Sequence, residues 1–421
     1  MRGSNGHRAR ERVIIAALRL PRQRRFEVDE SLEELAGLVY AAGGEVVHRV
    51  TQERRTPTPS LYFGKGKADE LAEAARTHRA TLVISDDPLT PIQERNLSKT
   101  INVRVIDRTA LILDIFAQRA RTSEGKLQVE LAQLTYLLPR LVGQWTHLER
   151  LGGGIGTRGP GETQLESDRR VIRRRVDQIK RELGRVQTHR RLQRQGRKRA
   201  GLPVVALVGY TNAGKTTLLN RLAGARMAAA DQLFVTLDPA ARLVNGGSRP
   251  AFIMTDTVGF IRKLPHELVA AFRATLEELT EAALLLHVVD ASHAGAEAQM
   301  AAVDALLREL DVAERPTILV LNKVDRIEQP QIIDAMIETR GGIPISAATG
   351  QGTERLLTAI DAHLHPHGGM VTLRIPHAHG EALALCYDRG RVLSRSDEPQ
   401  HVEVRVELPE PLLGSLAAYR V

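Results

Sequence analysis

Residues 209 to 216 read Gly-Tyr-Thr-Asn-Ala-Gly-Lys-Thr, an octet that dictates its own surroundings: a buried strand must lead into it and a helix must follow. Both are legible. Leu202 to Val208 is a short apolar run opened by Pro203, and Lys215 to Ala223 has a helical pattern. Glycines at Gly209 and Gly214 let backbone N–H groups curl around phosphate without side-chain clash. Gly209, Tyr210, Thr211, Asn212, Ala213, Gly214, Lys215 and Thr216, with Thr217 beyond them, are therefore expected to bind a nucleotide. Lys215 is expected to reach the β and γ phosphates and to act in catalysis, and Thr216 to place its hydroxyl on Mg²⁺. The helix that starts there turns its positive end toward the anion.

Three short motifs follow in a fixed order. Asp256-Thr257-Val258-Gly259 comes after the strand Ala251 to Thr255, where Asp256 can hold Mg²⁺ through water and the Gly259 N–H can sense a γ-phosphate. Asn322-Lys323-Val324-Asp325 ends the apolar strand Thr317 to Leu321. The Asp325 carboxylate can accept two hydrogen bonds from guanine; adenine offers no such donor pair, so a buried Asp325 selects GTP. Ser346-Ala347, after the strand Ile343 to Ile345, is expected to close over the base. Each motif alone reads as an ordinary strand-end loop. In this order, behind a phosphate loop, they point to a guanine-nucleotide switch that converts GTP to GDP and phosphate.

Between the loop and Asp256 lies Phe234-Val235-Thr236-Leu237-Asp238-Pro239. Thr236 is the expected switch threonine, a catalytic and Mg²⁺-coordinating residue engaged only while the γ-phosphate is present, and Phe234 is expected beside the nucleotide. Phe260 departs from the many small GTPases that carry a glutamine there to orient the attacking water. Slow intrinsic hydrolysis follows, with the missing group supplied from elsewhere. Asn212 can help hold a potassium ion beside the phosphates or can serve as a hydrogen-bond partner within the loop.

The net charge of +9 is concentrated in one place. Arg169 to Arg199 holds 14 Lys and Arg against Asp177 and Glu182, a local balance of +12, which leaves −3 for the rest. So one-sided a run favours a nucleic-acid partner over a merely solvated face. It lacks interleaved aromatics, so structured RNA fits better than stacked single strands. The single cysteine, Cys386, excludes an internal disulfide and reads as a packing residue. No apolar stretch approaches the ~18 residues of a membrane span, and the polar, basic start does not resemble a secretory signal. The expected compartment is the cytoplasm, with peripheral association with a membrane left open.

A chain of 421 residues suits about three domains, and here four segments differ in character. Residues 1–120 alternate strands (Arg12 to Leu18, Glu45 to Val50, Thr81 to Ser85, Val103 to Asp107) with helical patterns, a small parallel α/β domain. Gly64-Lys65-Gly66-Lys67 within it lacks full phosphate-loop spacing and is taken as a helix-opening turn, with a second nucleotide site as the lesser option. Residues 121–200 carry two leucine-rich heptad stripes expected to pair as an antiparallel hairpin, with Pro139 kinking or dividing the first helix. Its tip, 151–161, is too rich in glycine for regular structure and suits close approach to another surface. Gly152, Gly153, Gly154 and Arg158 at the tip and Arg173, Arg174 and Arg175 on the arm are the expected RNA contacts. Residues 201–366 form a doubly wound P-loop GTPase domain, and 367–421 a small α+β appendage.

Leu-Gly-Gly-Gly-Ile-Gly-Thr-Arg-Gly-Pro-Gly-Glu-Thr at 151–163, the stretch Val129-Glu130-Leu131-Ala132-Gln133-Leu134 before it, and Asp256-Thr257-Val258-Gly259-Phe260 together resemble the HflX family of ribosome-associated GTPases, over nearly the whole chain. The resemblance implies a GTPase that binds the large ribosomal subunit and its rRNA and is stimulated by it; several members split stalled or idle ribosomes under stress. It also implies that the hairpin tip, here Gly152 to Gly161, enters the subunit near the peptidyl-transferase region. Phe260 matches the family, in line with an external trigger. The alternatives are a GTPase accessory to tRNA modification, which would share Asn212 and potassium but usually carries a catalytic cysteine near its C-terminal end, and a ribosome-assembly factor. A monomer is the default.

Overall fold

The computed structural model describes residues 10–145, 160–199, 202–224, 233–234, 240–246, 249–263, 268, 279–364, 369–408 and 410–421. The first unit is a parallel sheet in the order β2-β1-β3-β4, from β1 (Arg12–Arg19), β2 (Glu45–Glu53), β3 (Leu82–Ser85) and β4 (Arg104–Asp107). Its helices are α1 (Arg25–Ala41), α2 (Lys65–Thr77), α3 (Pro91–Ile101) and α4 (Arg108–Arg119). Local chemistry sets these bounds. Thr90 and Gln93 form a reciprocal capping box, with Pro91 at the first helical position where its missing N–H costs nothing. Alternate residues of β1 feed two cores: Ile14, Ala16 and Leu18 pack under α2 and α3, while Val13, Ile15 and Ala17 face α1 and α4.

Next comes α5 (Ser123–Trp145), paired with the long α6 (Pro160–Arg199). Pro139 does not divide α5, which runs through it as one helix. The reason is anchorage on both sides of the proline. Tyr136 Oη donates to Asp107 at 2.8 Å, and Arg140 pairs with the same carboxylate at 3.0 Å and with Glu94 at 3.1 Å. These bonds, with Val129 and Ala132 buried on the same helix, outweigh one lost backbone bond.

The nucleotide-type unit is a six-stranded sheet in the order β10-β9-β8-β5-β7-β6. Its chain order is β5 (Val204–Gly209), α7 (Lys215–Ala223), β6 (Ala240–Gly246), β7 (Arg249–Asp256), β8 (Leu284–Asp290), α8 (Ala296–Glu309), β9 (Thr317–Asn322), α9 (Pro330–Arg340), β10 (Ile343–Pro344) and α10 (Thr353–Leu364). All neighbours are parallel except the edge pair β6 and β7. Strand β6 lies where only a switch segment was expected. Central strands β5 and β8 are almost wholly buried, as a sheet covered on both faces requires.

The last unit is an antiparallel sheet, β11-β13-β12, from β11 (Gly369–Pro376), β12 (Arg391–Asp397) and β13 (His401–Leu408), with α11 (Gly380–Arg389) between β11 and β12 and α12 (Glu410–Ser415) after β13. Every second residue of β13, from Val402 to Leu408, is buried, so one face builds a core around Cys386. The mixed fold expected from the sequence, two α/β units, a helical pair and a small α+β sheet, is the fold observed. One feature crosses the expected boundaries: a single apolar cluster joins α1 and α4 of the first unit to Val208, Phe260, Val303 and Leu307 of the GTPase unit.

Candidate nucleotide site

The phosphate loop leaves β5 with Gly209 at φ +150° and enters α7 through Gly214 at φ +97°. A Cβ on Gly209 would run into the Val288 carbonyl oxygen, and one on Gly214 into the Asn322 amide. Only glycine meets both demands. Asn212, at φ +62°, takes the left-handed conformation that asparagine tolerates, and its side chain is exposed. Thr211 and Ala213 are buried, while Thr217 is partly exposed on the first turn of α7.

Lys215 is buried at the centre, its ammonium donating to Gly209 O at 3.0 Å and Tyr210 O at 2.8 Å. Burial drives its pKa down to about 8, opposed by the charge of Asp256. Thr216 Oγ1 donates to Asp256 Oδ2 at 2.7 Å, so the two residues expected to hold Mg²⁺ are in contact. Asp256 is fully buried at the end of β7, and a hydroxyl beside a dry carboxylate suits a hard, oxygen-preferring cation. Thr257 is held by a 2.7 Å bond to Leu207 O. Gly259 lies against the loop: a Cβ there would sit 2.9 Å from Thr211 Cα and 3.1 Å from Lys215 Nζ.

The base-reading motif is braced to the same loop. Asn322 Nδ2 donates to Ala213 O at 2.8 Å, while its Oδ1 accepts from Ala347 N at 2.9 Å, so one side chain ties phosphate loop to base loop. Lys323, at φ +65°, pairs with Asp290 at 2.6 Å, and Asp290 also accepts from Ser292. Ser346 is buried, with its N–H bonded to Gln351 O. Asp325 sits in the short 3-10 turn Val324–Arg326, past the buried end of β9, and is exposed.

Phe234 also departs from expectation: it is buried edge-on against Phe116 of α4, with ring centroids 4.6 Å apart. The apolar first unit claims a ring assigned to the nucleotide. Phe260 is buried, and its backbone stitches the Asp256 motif to the loop through Thr211 N to Phe260 O at 2.7 Å and Phe260 N to Gly209 O at 3.1 Å. Thr236 lies outside the described residues, as do Gly152, Gly153, Gly154 and Arg158. On α6, Arg173 and Arg174 are exposed. Arg175, partly exposed, is engaged within the helical pair. It makes a bidentate pair with Glu130 of α5, at 2.6 and 2.7 Å, because the helical pair needs a polar clamp where it is half-exposed.

Sequence reasoning missed the groups that the first unit brings to the site: Glu30 and Glu34 of α1, Asp86 and Arg108. The spacing of Glu30, Glu33 and Glu34 does show an acidic helix face, though not what it meets. These glutamates, with Tyr210, Asn212 and Asp290, line a cleft of about 540 Å³.

Three family descriptions match in succession: "GTP-binding GTPase N-terminal" over residues 29–117, "GTP-binding GTPase Middle Region" over 119–197 and "50S ribosome-binding GTPase" over 204–323. The chain is 49% identical over 383 residues to the GTPase HflX of Escherichia coli (strain K12), spanning 90% of each protein. It is 46% identical over 396 residues to the GTPase HflX of Caldanaerobacter subterraneus subsp. tengcongensis, spanning 94% of this chain and 90% of that one. Among solved structures, a GTP-binding protein of Sulfolobus solfataricus in complex with GDP is 25% identical, with a TM-score of 0.44 over 83% of this chain and 98% of its own. With the loop, the Asp256 motif and the base motif assembled at the C-terminal ends of neighbouring strands of one sheet, and relatives of this identity over this length, the chain belongs to the HflX family of GTPases.

Proposed function

We propose that this GTPase docks on the large ribosomal subunit through its helical pair and relies on that partner to complete its hydrolytic site. The observation that carries the reading is a pairing of one deficit with one surface. Phe260 is buried in the core where a water-orienting side chain would be needed, and α6 turns Arg170, Arg173, Arg174, Lys180, Arg181 and Arg185 outward. A helix so charged is suited to rRNA phosphates, with the segment 151–161 as its leading end. The family description naming 50S ribosome binding supports the same partner. A role in splitting or rescuing ribosomes under stress, in the cytoplasm and as a monomer, completes the proposal. Among the described residues no helix is long and apolar enough to cross a membrane. Cys386 is buried in the last unit and lends no support to a catalytic cysteine of the tRNA-modifying kind.

Within the site, Lys215 would neutralise the β and γ phosphates, the Gly259 N–H would report the third phosphate, and Asp325 would pair with guanine. Thr216, Asp256 and Thr236 would hold Mg²⁺, whose charge offsets that developing on the transferred phosphoryl group. Asn212, exposed and lining the acidic cleft, would share a potassium ion. The test is GTP turnover with and without purified large subunits, in potassium and in sodium, together with co-sedimentation. Stimulation by subunits of about 10-fold or more is expected, with roughly 10³-fold or more as the scale of a group fully supplied in trans. Converting Arg173 and Arg174 to Glu should weaken co-sedimentation and lower its log–log salt slope by about 1 per lost phosphate contact. Turnover indifferent to subunits, with no co-sedimentation, would sink the proposal.

A further inference from the structure

The first unit reaches the nucleotide site through a closed ring of polar groups. Tyr210 Oη, on the phosphate loop, accepts from Arg262 N at 2.6 Å and donates to Glu34 Oε1 of α1. The other oxygen of Glu34 accepts from Arg108 Nη1 at 2.8 Å. Arg108, 1% exposed, binds Asp86 Oδ1 through Nε at 3.0 Å and Nη2 at 2.6 Å. Asp86 Oδ2 meets Lys263 Nζ at 2.5 Å, and Lys263 is the chain neighbour of Arg262, where the ring began. Two further pairs, Arg262 with Glu30 at 3.0 Å and Lys263 with Asp87 at 2.5 Å, flank it. Burial alone would raise the Asp86 carboxyl, but Arg108 and Lys263 outweigh it and hold the group below its usual range.

The ring grips one short segment. Residues 260 to 263 follow Gly259 directly, and Phe260 and Ile261 are buried in the shared core. Between Gly259 and the pair Thr211 and Lys215 there is not room even for a methyl group. A third phosphate read by both the Gly259 N–H and Lys215 must lie between them, so seating it draws Gly259 off the loop against the pull of Arg262 and Lys263. A nucleoside diphosphate makes no such demand.

We infer that Tyr210 is a positioning residue which, through Glu34, couples the seating of a third phosphate to the first unit, so that the ring biases the site toward the diphosphate. A ligand shifts such an equilibrium only by its differential affinity for the two arrangements, and the triphosphate is the ligand that differs. The inference rests on the nucleotide-site reading and not on the ribosomal partner.

The test is the ratio of equilibrium affinities for GDP and for a non-hydrolysable GTP analogue, measured on the full chain. Tyr210→Phe removes one hydroxyl and keeps the ring's packing. It should move the ratio toward the triphosphate by about 5-fold or more, the scale of ordinary site-to-site coupling, whatever change both affinities share. Arg262→Glu should move it the same way, and adding Glu30→Arg should restore it. An unchanged ratio, a parallel loss of both affinities, or a double variant no closer to the parent would overturn the inference. Failure of the parent chain to bind either nucleotide would instead overturn the site assignment on which it stands.

Discussion

Two turns rich in glycine and lysine open helices in neighbouring units of this chain, and they differ in what their glycines are asked to do. At Gly209 and Gly214 the backbone is left-handed, and a Cβ would strike a carbonyl or an amide held in place by the sheet. At Gly64 the backbone is ordinary, φ −70°, and the nearest obstacle is the mobile tip of Arg54. The Gly64 N–H is already bonded to Gln52 Oε1 at 2.8 Å. Lys215 is buried with its head among carbonyls, whereas Lys65 is exposed. The first turn keeps strained backbone where a phosphate can use it, while the second only starts a helix. Lysine beside glycine is thus a weak signal until conformation and burial are added.

This contrast can be broken at its strongest point by exchanging the lysines. Lys215→Ala should lower GTP turnover by about 10²-fold or more, the scale seen when one charge-stabilising group is removed from an active site. Lys65→Ala should leave turnover within about 2-fold, and equal losses in steady-state assays would erase the distinction. The glycines offer a smaller effect. Gly214→Ala introduces about 1–3 kcal/mol of backbone strain, which would appear as roughly 5- to 150-fold weaker nucleotide binding in titration calorimetry. Gly64→Ala should leave binding unchanged, with a melting shift of only a few degrees for ~1 kcal/mol.

The smallest effect is in the pH dependence. Free Lys215 loses its proton near pH 8, whereas a lysine paired with phosphates keeps it, so above about pH 8 the complex holds more protons than the free protein. GTP affinity should therefore fall as pH rises beyond 8, by at most about tenfold per unit. Folding responds with the opposite sign. Between pH 8 and the unperturbed 10.5 the unfolded chain holds more protons than the folded one, so the nucleotide-free fold gains stability from this group as pH rises. Affinity independent of pH from 7.5 to 9.5 would show that Lys215 does not meet the phosphates.

What could be read in advance follows from the same physics. Phosphate, Mg²⁺ and base residues are legible because each is fixed by a local demand, a left-handed turn or a strand end, that few residue types meet. Pro139 suggested a break that tertiary bonds from Tyr136 and Arg140 override. Phe234 and Arg175 take partners remote in the sequence, Phe116 and Glu130, which no local pattern announces. The ring through Glu34, Arg108, Asp86 and Lys263 was out of reach for the same reason. Its members are scattered over some 230 residues, and no periodicity connects them.

The cluster shared by the first unit and the GTPase unit has a consequence for how the protein is made. The core under α2 and α3 draws only on residues up to Val105, so it can close as soon as that stretch has emerged. The opposite face, with Leu35, Ile112 and Phe116, is completed by residues as late as Val312. At about 5–20 residues per second, the roughly 190 residues after α4 take on the order of 10–40 s to synthesise. For that time the nascent chain carries an apolar face awaiting its own later half, and it is then that aggregation or capture by a chaperone competes with completing the fold.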